Sequence, residues 1–400
     1  MKEPKIRFKG FQGEWKSCTI KDICEVNPKS TLPSVFEYVD LESVVGTEMV
    51  SHRTEKRESA PSRAQRVASK GDIFYQTVRP YQKNNYLFDK DDTNYVFSTG
   101  YAQLRTKIYG GYLFTLMQSL SFVDKVLMEC TGTSYPAINP TNLSKIKVHI
   151  IDNENIQKAI ASYFQHLDAL IQSTTKKIES LKQVKAASLQ SMFPKEGETT
   201  PRVRFKGFEG DWENKTLGEC LTINNERNQS NVYGINDVLS VSDEVGVVNQ
   251  IKLLGRSYAG KSVANYRVLK TNQIVYTKSP LKSKPYGIVK VNKGAVGIVS
   301  VLYAVYDTSE NVYPDYIHYY FEPTHRINNY LLPLINKGAK NTMNISDEMA
   351  LTGNIWIPSF DEQKKIADYL QALDSQITLQ TQLLEKLKQI KSACLDNMFV

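Results

Sequence analysis

Two long segments of the chain carry apolar residues at alternating intervals of four and three. The later segment runs from Ile366 to Met398, and the same positions counted back by 206 residues run from Ile160 to Met192. Sustained spacing of this kind is typical of a coiled-coil seam. The two seams consist of Ile160, Phe164, Leu167, Ile171, Thr174, Ile178, Leu181, Lys185, Ser188 and Met192, and of Ile366, Leu370, Leu373, Ile377, Gln380, Leu384, Leu387, Lys391, Cys394 and Met398.

Helix-boundary residues flank both seams. Asp152-Asn153 and Ser359 are suitable N-caps, and Pro194 ends the first helix. A helix over 154–192 would have 39 residues and span about 58 Å at about 1.5 Å per residue. Ordinary core helices run about 10–14 residues, so we expect two struts that pack on each other. Four apolar residues should cover the seams where they turn polar: Val184, Leu189, Ile390 and Leu395.

The blocks before the two long helices have a different pattern. Short runs of strand-forming residues, such as 71–75, 96–104, 273–276 and 295–306, are separated by turn residues. Short helices are expected near 111–128 and 314–336. Each block is therefore predicted to be a mixed α and β domain.

The chain is internally duplicated. Residues 4–15 read PKIRFKGFQGEW and residues 201–212 read PRVRFKGFEGDW, with only conservative differences. Between these anchors and the long helices the two halves agree loosely, chiefly at 71–75 and 272–276. Gene duplication with drift is one explanation, but drift should blur the anchors as much as the blocks. The pattern favours one scaffold that carries two versions of a recognition module.

The duplication predicts six consecutive regions, with the polar segment 195–201 as the boundary between halves. They are a repeat segment (1–15), a first recognition domain (16–152), a first spacer helix (153–193), a linker with the second repeat segment (194–212), a second recognition domain (213–358) and a second spacer helix (359–400).

Composition narrows the class of protein. The chain has 400 residues, 41% of them hydrophobic, and a net charge of +8, which is compatible with a nucleic-acid partner without establishing one. The sequence has no apolar stretch of about 18 residues and no apolar segment near its start, so we expect neither a membrane span nor secretion. Because no signal peptide is expected, we expect the five cysteines to be free thiols in a reducing cytoplasm. The cysteines and the five histidines lack metal-ligand spacing, which argues against a metal site.

One motif suggests an enzyme. Residues 255–262, GRSYAGKS, match the phosphate-binding P-loop, and 299–307 could pass for the strand that accompanies it. A P-loop needs a buried strand before it and a helix after it. Residues 248–254 are only half apolar, and a new strand begins near 272, which leaves no room for a full helix. A P-loop NTPase therefore remains an alternative that the sequence context disfavours.

Basic residues interleaved with aromatic and amide residues follow the similar strands in both halves. We call residues 76–86 and 277–286 the first and second basic loops, and 131–139 and 337–344 the first and second glycine loops. Such side chains suit base edges and phosphates, although solvated loops and simple turns are the alternatives. The residues expected to contact DNA are Gln76, Thr77, Arg79, Tyr81, Gln82, Lys83, Asn84, Ser134, Tyr135, Lys278, Ser279, Lys282, Lys284, Tyr286, Lys340 and Asn341.

Taken together, the repeated RFKGF-x-G-x-W, the strand-plus-loop pairs, the glycine loops and the long helices ending in Met-Phe resemble the specificity subunit of type I restriction-modification systems. The resemblance covers essentially the whole chain. Ile357-Pro358 opens the second helix in the family's manner, whereas Ile150-Ile151 in the first half lacks the proline, which puts the start of that helix in doubt.

The resemblance implies a fold and a set of partners. It implies two α+β target recognition domains and two helices in an antiparallel coiled coil with pseudo-two-fold symmetry. It also implies a non-catalytic protein that reads both halves of a split double-stranded DNA site. Two methyltransferase subunits would use S-adenosylmethionine, and motor-nuclease subunits, whose presence the sequence leaves open, would use ATP and Mg²⁺. All cofactors would then belong to partner subunits. A scaffold that joins two partners without touching DNA is the remaining alternative.

Overall fold

The computed structural model describes residues 4–11, 13–92, 94–260, 262–281, 284–337 and 343–399. It divides into two units, the first comprising Met1–Lys176 with Thr381–Val400 and the second Lys177–Gln380. Each of the two long helices begins in one unit and ends in the other.

The first unit is a mixed α and β structure. Its strands are β1 (Trp15–Thr19), β2 (Cys24–Val26), β3 (Val35–Val39), β4 (Val44–Val45), β5 (Glu48–Met49), β6 (Arg53–Lys56), β7 (Ala64–Val67), β8 (Ile73–Gln76), β9 (Tyr86–Leu87), β10 (Tyr95–Ser98), β11 (Tyr101–Thr106) and β12 (Lys147–Ile151). Its helices are α1 (Ile20–Ile23), α2 (Gly110–Met117), α3 (Leu120–Met128), α4 (Pro140–Lys145) and the start of α5 (Glu154–Ser191).

The second unit has the same order of principal elements. Its strands are β13 (Glu213–Thr216), β14 (Leu221–Ile223), β15 (Leu239–Ser242), β16 (Gly246–Asn249), β17 (Arg267–Leu269), β18 (Ile274–Tyr276), β19 (Val289–Val291), β20 (Gly297–Val299), β21 (Ala304–Thr308), β22 (Asn336–Lys337), β23 (Met343–Asn344) and β24 (Asn354–Ile357). Its helices are α6 (Leu217–Cys220), α7 (Gln250–Leu254), α8 (Pro314–Phe321), α9 (Thr324–Leu331) and the start of α10 (Phe360–Asn397).

Both units are built on one four-stranded sheet of the same topology. The strand order is β2-β11-β8-β9 in the first unit and β14-β21-β18-β19 in the second, with antiparallel pairing throughout. Ile73 pairs with Leu104 as Ile274 pairs with Tyr306. The similar stretches 71–75 and 272–276 therefore enter the same strand of the same sheet.

Both units also contain one equivalent antiparallel pair, β1-β12 in the first and β13-β24 in the second, whereas the other strands differ. The first unit adds a second four-stranded sheet, β6-β3-β10-β7, in which β10 pairs parallel to β3. The second unit has instead two separate two-stranded pairs, β15-β16 and β17-β20. The two halves thus share the four-stranded sheet and differ in the pairing of most of their other strands.

The long helices pack antiparallel within each unit. In the first unit, Tyr163 lies beside Cys394, and Asp168 binds Lys391 further along the helix. In the second unit, Lys185 binds Asp374 and Ser188 lies beside Tyr369. All twenty predicted seam positions are buried or half-buried. The predicted mixed domains and paired antiparallel helices are confirmed.

The structure resolves the start of the first long helix and corrects one part of the seam prediction. The doubtful start of the first helix is resolved at Glu154, where the Asn153 side chain accepts a hydrogen bond from the Ile156 amide. Leu189 and Leu395 are buried as expected, but Val184 and Ile390 are 46% and 42% exposed, so that part of the prediction is wrong. The neighbouring seam lysines are neutralised by aspartates rather than covered by apolar side chains.

The repeated segments act as docking sites for the helix ends. Phe193, just after α5, packs against Trp212 and Tyr316 with ring centroids 6.3 and 5.5 Å away. Phe399, just after α10, packs in the same way against Trp15 and Tyr112. The tryptophan of each repeat therefore receives the end of the helix that arrives from the other half.

Candidate nucleic-acid interface

The first basic loop is shaped by two buried polar residues at its start. The Gln76 side chain donates hydrogen bonds to the Val78 carbonyl and the Gln82 side chain, at 2.7 and 2.8 Å. The Thr77 hydroxyl donates to the Gly100 carbonyl. Gln76 and Thr77 are 3% and 6% exposed, so the structure places these two predicted contact residues inside the fold.

The exposed residues of this loop are Tyr81 and Gln82, and Arg79 before them is half-buried. Tyr81 is half exposed, and Gln82 is exposed beside it. Arg79 has a positive φ of 53°, a left-handed conformation that non-glycine residues seldom adopt. Such backbone strain persists only where the surroundings enforce it.

The first glycine loop lies directly against the first basic loop. The Arg79 amide donates to the Pro136 carbonyl, and the Ile138 amide donates to the Thr77 carbonyl. The Arg79 guanidinium stacks over the Tyr135 ring at 4.3 Å, and Tyr135 and Ser134 are exposed. Two regions that the sequence predicted separately therefore form one surface, with a basic and an aromatic side chain in contact.

The Lys83 and Asn84 side chains form hydrogen bonds with neighbouring segments of the protein. The Lys83 amine donates to the Gln118 carbonyl at 2.8 Å, and burial lowers its pKa. The Asn84 side chain accepts a hydrogen bond from the Gly46 amide. Both residues are half-buried and hold the loop to neighbouring segments.

The second basic loop begins with a lysine bound to a buried aspartate. Lys278 has a φ of 48°, and its amine lies 2.5 Å from a carboxylate oxygen of Asp347. The other Asp347 oxygen binds the guanidinium of Arg267, also at 2.5 Å. Ser279 follows and is half-buried. The Asp347 carboxylate thus joins the basic loop to the segment after the second glycine loop.

Lys284 and Tyr286 are the inner residues of the second basic loop. Lys284 is 6% exposed, donates to the Glu322 carbonyl at 2.7 Å and pairs with Asp243 at 2.9 Å. The Tyr286 carbonyl accepts a hydrogen bond from the Tyr276 hydroxyl. The remaining predicted contacts of the second unit, Lys282, Lys340 and Asn341, lie outside the described residues.

Sequence reasoning missed a polar contact at the start of β8 and β18, the strands from which the basic loops leave. Asp72, buried just before β8, accepts hydrogen bonds from Arg105 and Gln103 on β11. At the equivalent place in the second unit, Gln273 donates to Asp307 on β21 at 2.7 Å. The carboxylate that accepts the hydrogen bond therefore lies next to β8 in the first unit, but on β21, the neighbour of β18, in the second. The contrast between Asp72 and Gln273 within otherwise similar stretches was the signal.

A second missed feature is a charged cluster beside the second basic loop. The Lys185 amine lies 2.6 Å from Glu322 and 2.6 Å from Asp374, and Tyr319 donates to Asp374 at 2.9 Å. Burial acts to lower the pKa of Lys185, but the two carboxylates outweigh it and raise that pKa. Burial lowers the pKa of His318, on the same helix α8, to about 3.

The P-loop motif lacks the geometry of a phosphate site. Gly255 ends the five-residue helix α7 in a left-handed conformation, where a P-loop would have the end of a strand. Among the described residues after Lys261, 262–266 form no helix and lead into β17. Lys261 lies outside the described residues. Without a helix N-terminus, this part of the chain does not present the row of amides that cradles a phosphate.

Over the described part of the chain, we find no helix with both the length and the apolar character required to cross a membrane.

The fold consists of two related units, and each unit contains part of both long helices. The family model for the type I restriction modification DNA specificity domain matches twice, over residues 12–183 and 209–389. The chain therefore belongs to this family. Specificity subunits of type I restriction-modification systems are non-catalytic DNA-recognition proteins.

Individual relatives agree with the family assignment. The chain is similar to the type I restriction enzyme HindI specificity subunit of Haemophilus influenzae, with 26% identity over 190 residues, which span 45% of this chain and 41% of that protein. Two solved structures share the fold. The type I restriction-modification S subunit of M. genitalium matches with a TM-score of 0.62, 14% identity and coverage of 100% and 99% of the two chains. A chain from a study of complex assembly and conformational transition in a type I R-M system matches with a TM-score of 0.52, 19% identity and coverage of 96% and 98%.

Proposed function

We propose that this chain reads a split double-stranded DNA site, with each unit recognising one half-site through its basic and glycine loops. The proposed contact surface of the first unit is formed by Arg79, Tyr81, Gln82, Ser134 and Tyr135. In the second unit, the proposed contacts are Ser279, Lys282, Lys340 and Asn341, whereas Lys278, bound to Asp347, and the inner residue Tyr286 support the loop. The basic and amide side chains suit phosphate oxygens and base edges, and the tyrosine hydroxyls suit phosphate oxygens.

One observation carries this proposal. The two basic loops leave the same strand, β8 or β18, of the same four-stranded sheet, and yet their sequences differ. A shared frame fixes where a loop stands, whereas the side chains on the loop decide what it recognises. Two different loops on two copies of one frame suit two different targets.

The proposed assembly includes further subunits. We propose that two methyltransferase subunits bind the chain and modify adenine with S-adenosylmethionine, and that motor-nuclease subunits join them in a restriction-competent form. All catalysis would then lie in the partners. The match to the HindI specificity subunit supports a role of this kind, since that relative is named for its place in a restriction enzyme.

A domain exchange tests the proposal. Residues 213–355 would be replaced with the corresponding block of another family member, and methylated adenines would be mapped in a genome carrying the hybrid with its methyltransferase. We expect one half-site to change and the other to stay the same. A change in both half-sites, or in neither, would contradict the assignment of one half-site to each unit.

A salt titration separates DNA recognition from pure scaffolding. A protein that neutralises phosphates releases counterions, so its affinity falls steeply as salt rises, with a slope of about −0.9 per phosphate on logarithmic axes. A scaffold that touches only its protein partners would show no such dependence on a DNA duplex.

A further inference from the structure

Each basic loop carries a lysine at the same place. Lys83 lies ten residues after Ile73, and Lys284 lies ten residues after Ile274, which occupies the equivalent position in β18. The Lys83 amine donates to the Gln118 carbonyl at 2.8 Å, and the Lys284 amine donates to the Glu322 carbonyl at 2.7 Å. The two loops differ in length and sequence but share this contact.

The two accepting carbonyls belong to equivalent residues. Gln118 is the C-cap of α2 and Glu322 is the C-cap of α8, and each of these helices has eight residues. The last carbonyls of a helix lack partners within it and carry a partial negative charge. A lysine amine both satisfies such a carbonyl and complements its charge.

The helices that receive the lysines also contact the long helices. Gly111 in α2 approaches Ala161 of α5 so closely that a Cβ on the glycine would lie 3.1 Å from the alanine Cβ. In α8, the Tyr319 hydroxyl donates to Asp374 of α10. Lys83 therefore connects the first basic loop to α2, which packs on α5. Lys284 connects the second basic loop to α8, which contacts α10.

The exposure of the lysines argues against a role at the DNA surface. Lys284 is 6% exposed and is neutralised by Asp243 at 2.9 Å. Lys83 is half-buried and has a φ of 57°, a strained conformation that its surroundings must hold in place. The exposed residues of the same loop, Tyr81 and Gln82, are the ones free to reach a duplex.

We propose that Lys83 and Lys284 are positioning residues, which set the conformation of the basic loops and thereby the selectivity for each half-site without contacting DNA. This inference rests on the proposed function. It replaces, for these two residues, the expectation from sequence that they contact DNA directly.

The test uses the complex of the full chain with its methyltransferase subunits. Variants Lys83→Met and Lys284→Met keep the aliphatic stem and remove the donor. Dissociation constants would be measured over a range of salt concentrations. The duplexes would carry either the intact site, as identified by mapping methylated adenines, or the same site with one half scrambled. For Lys83→Met, we expect discrimination at the first half-site to fall about three- to tenfold, the worth of about one net hydrogen bond. Discrimination at the second half-site and the salt slope should stay unchanged, and Lys284→Met should give the mirror result.

Three controls make the result decisive. Arg79→Met, at a proposed contact, should reduce the salt slope by up to about 0.9. Lys182→Met, an exposed position on α5, should match the wild type. Lys83→Arg, which keeps a donor, should restore discrimination, and the melting temperature of every variant separates local loosening from unfolding.

Specific outcomes would overturn the inference. A fall of about 0.9 in the salt slope of Lys83→Met would show a phosphate contact instead. Unchanged discrimination in a folded Lys83→Met would show that the hydrogen bond positions nothing that matters. The proposed function would fail separately, through a wild-type complex that shows no preference for any duplex over its scrambled versions.

Discussion

The seam lysine of the second unit should stabilise its unit more than the equivalent lysine stabilises the first. Lys185 is 14% exposed and contacts two carboxylates, Glu322 and Asp374, each at 2.6 Å. Lys391, 206 residues later, is 22% exposed and contacts Asp168 at 2.5 Å. Substitution by methionine keeps the stem of either lysine and removes its charge. In Lys185→Met, two partly buried carboxylates then lose their common cation.

The size of the difference follows from burial. Breaking a buried ion pair from one side costs about 3–5 kcal/mol, whereas exposed pairs contribute about 0.2–1 kcal/mol. We expect about 3 kcal/mol for Lys185→Met and about 1 kcal/mol for Lys391→Met. For a unit of roughly 200 residues, 1 kcal/mol corresponds to about 2–4 °C. The melting transition of the second unit should therefore fall by about 6–12 °C in Lys185→Met.

The assay is thermal unfolding, with amide hydrogen exchange to assign each transition to a unit. Lys182→Met, at an exposed position of the same helix, is the control and should change the melting temperature little. Adding Asp374→Asn to Lys185→Met should cost less than the sum of the single changes, because the two residues share one interaction. Equal shifts for Lys185→Met and Lys391→Met, or a Lys185→Met shift no larger than that of Lys182→Met, would refute the reasoning.

Three other predictions concern the anchors of the helix ends and His318. Phe193→Ala and Phe399→Ala each empty an aromatic docking site and should cost about 3–5 kcal/mol, with faster hydrogen exchange confined to the second unit and the first unit respectively. Glu362→Gln weakens a bidentate contact of 2.7 and 2.8 Å with Arg204 and should cost about 3 kcal/mol in chemical denaturation, although the two main-chain bonds of Arg204 remain. His318 folds in its neutral form with a pKa lowered to about 3, chiefly by burial, so its stabilising contribution is complete above pH 6.5 and declines as the pH falls toward 3. The loss should reach at most about 2 kcal/mol at pH 5, and His318→Gln should flatten this part of the stability profile.

The sequence predicted secondary structure well wherever apolar residues recur at a regular spacing or a strand-forming run is duplicated. The 4-3 spacing from Ile160 to Met192 required a long amphipathic helix, and no other element buries such a stripe. The strand-forming run at 272–276 was placed in register with 71–75 from the sequence alone, and both runs enter the same strand of the same sheet. These features depend on local residue patterns, which a single sequence displays directly.

The candidate interface was predicted less completely, because inward and outward residues on an irregular loop have no period. Gln76, Lys83 and Lys284 are residue types that often contact DNA, but the side chain of each donates hydrogen bonds to other groups of the protein. The partners of the two lysines lie 35 and 38 residues away in the chain, at helix ends that a single sequence locates only approximately. The contact between Arg79 and Tyr135 was hidden for the same reason, since it joins two loops that are distant in sequence.

The two units have the same buried hydrogen bonds at the starts of α2 and α8, whereas their exposed loop residues differ. This difference between buried and exposed positions has a physical basis. Gln157 and Gln363, which are 206 residues apart, both accept a hydrogen bond from the first residue before α2 or α8 and donate to the end of the preceding strand segment. Such buried side chains cannot change singly, because an unsatisfied partner would be left in the core at a cost of about 1–3 kcal/mol. An exposed loop residue such as Tyr81 or Gln82 carries no such penalty. Substitution can therefore alter what a loop contacts while the bonds that attach the loop persist, so one sheet topology can support two different contact surfaces in a single chain.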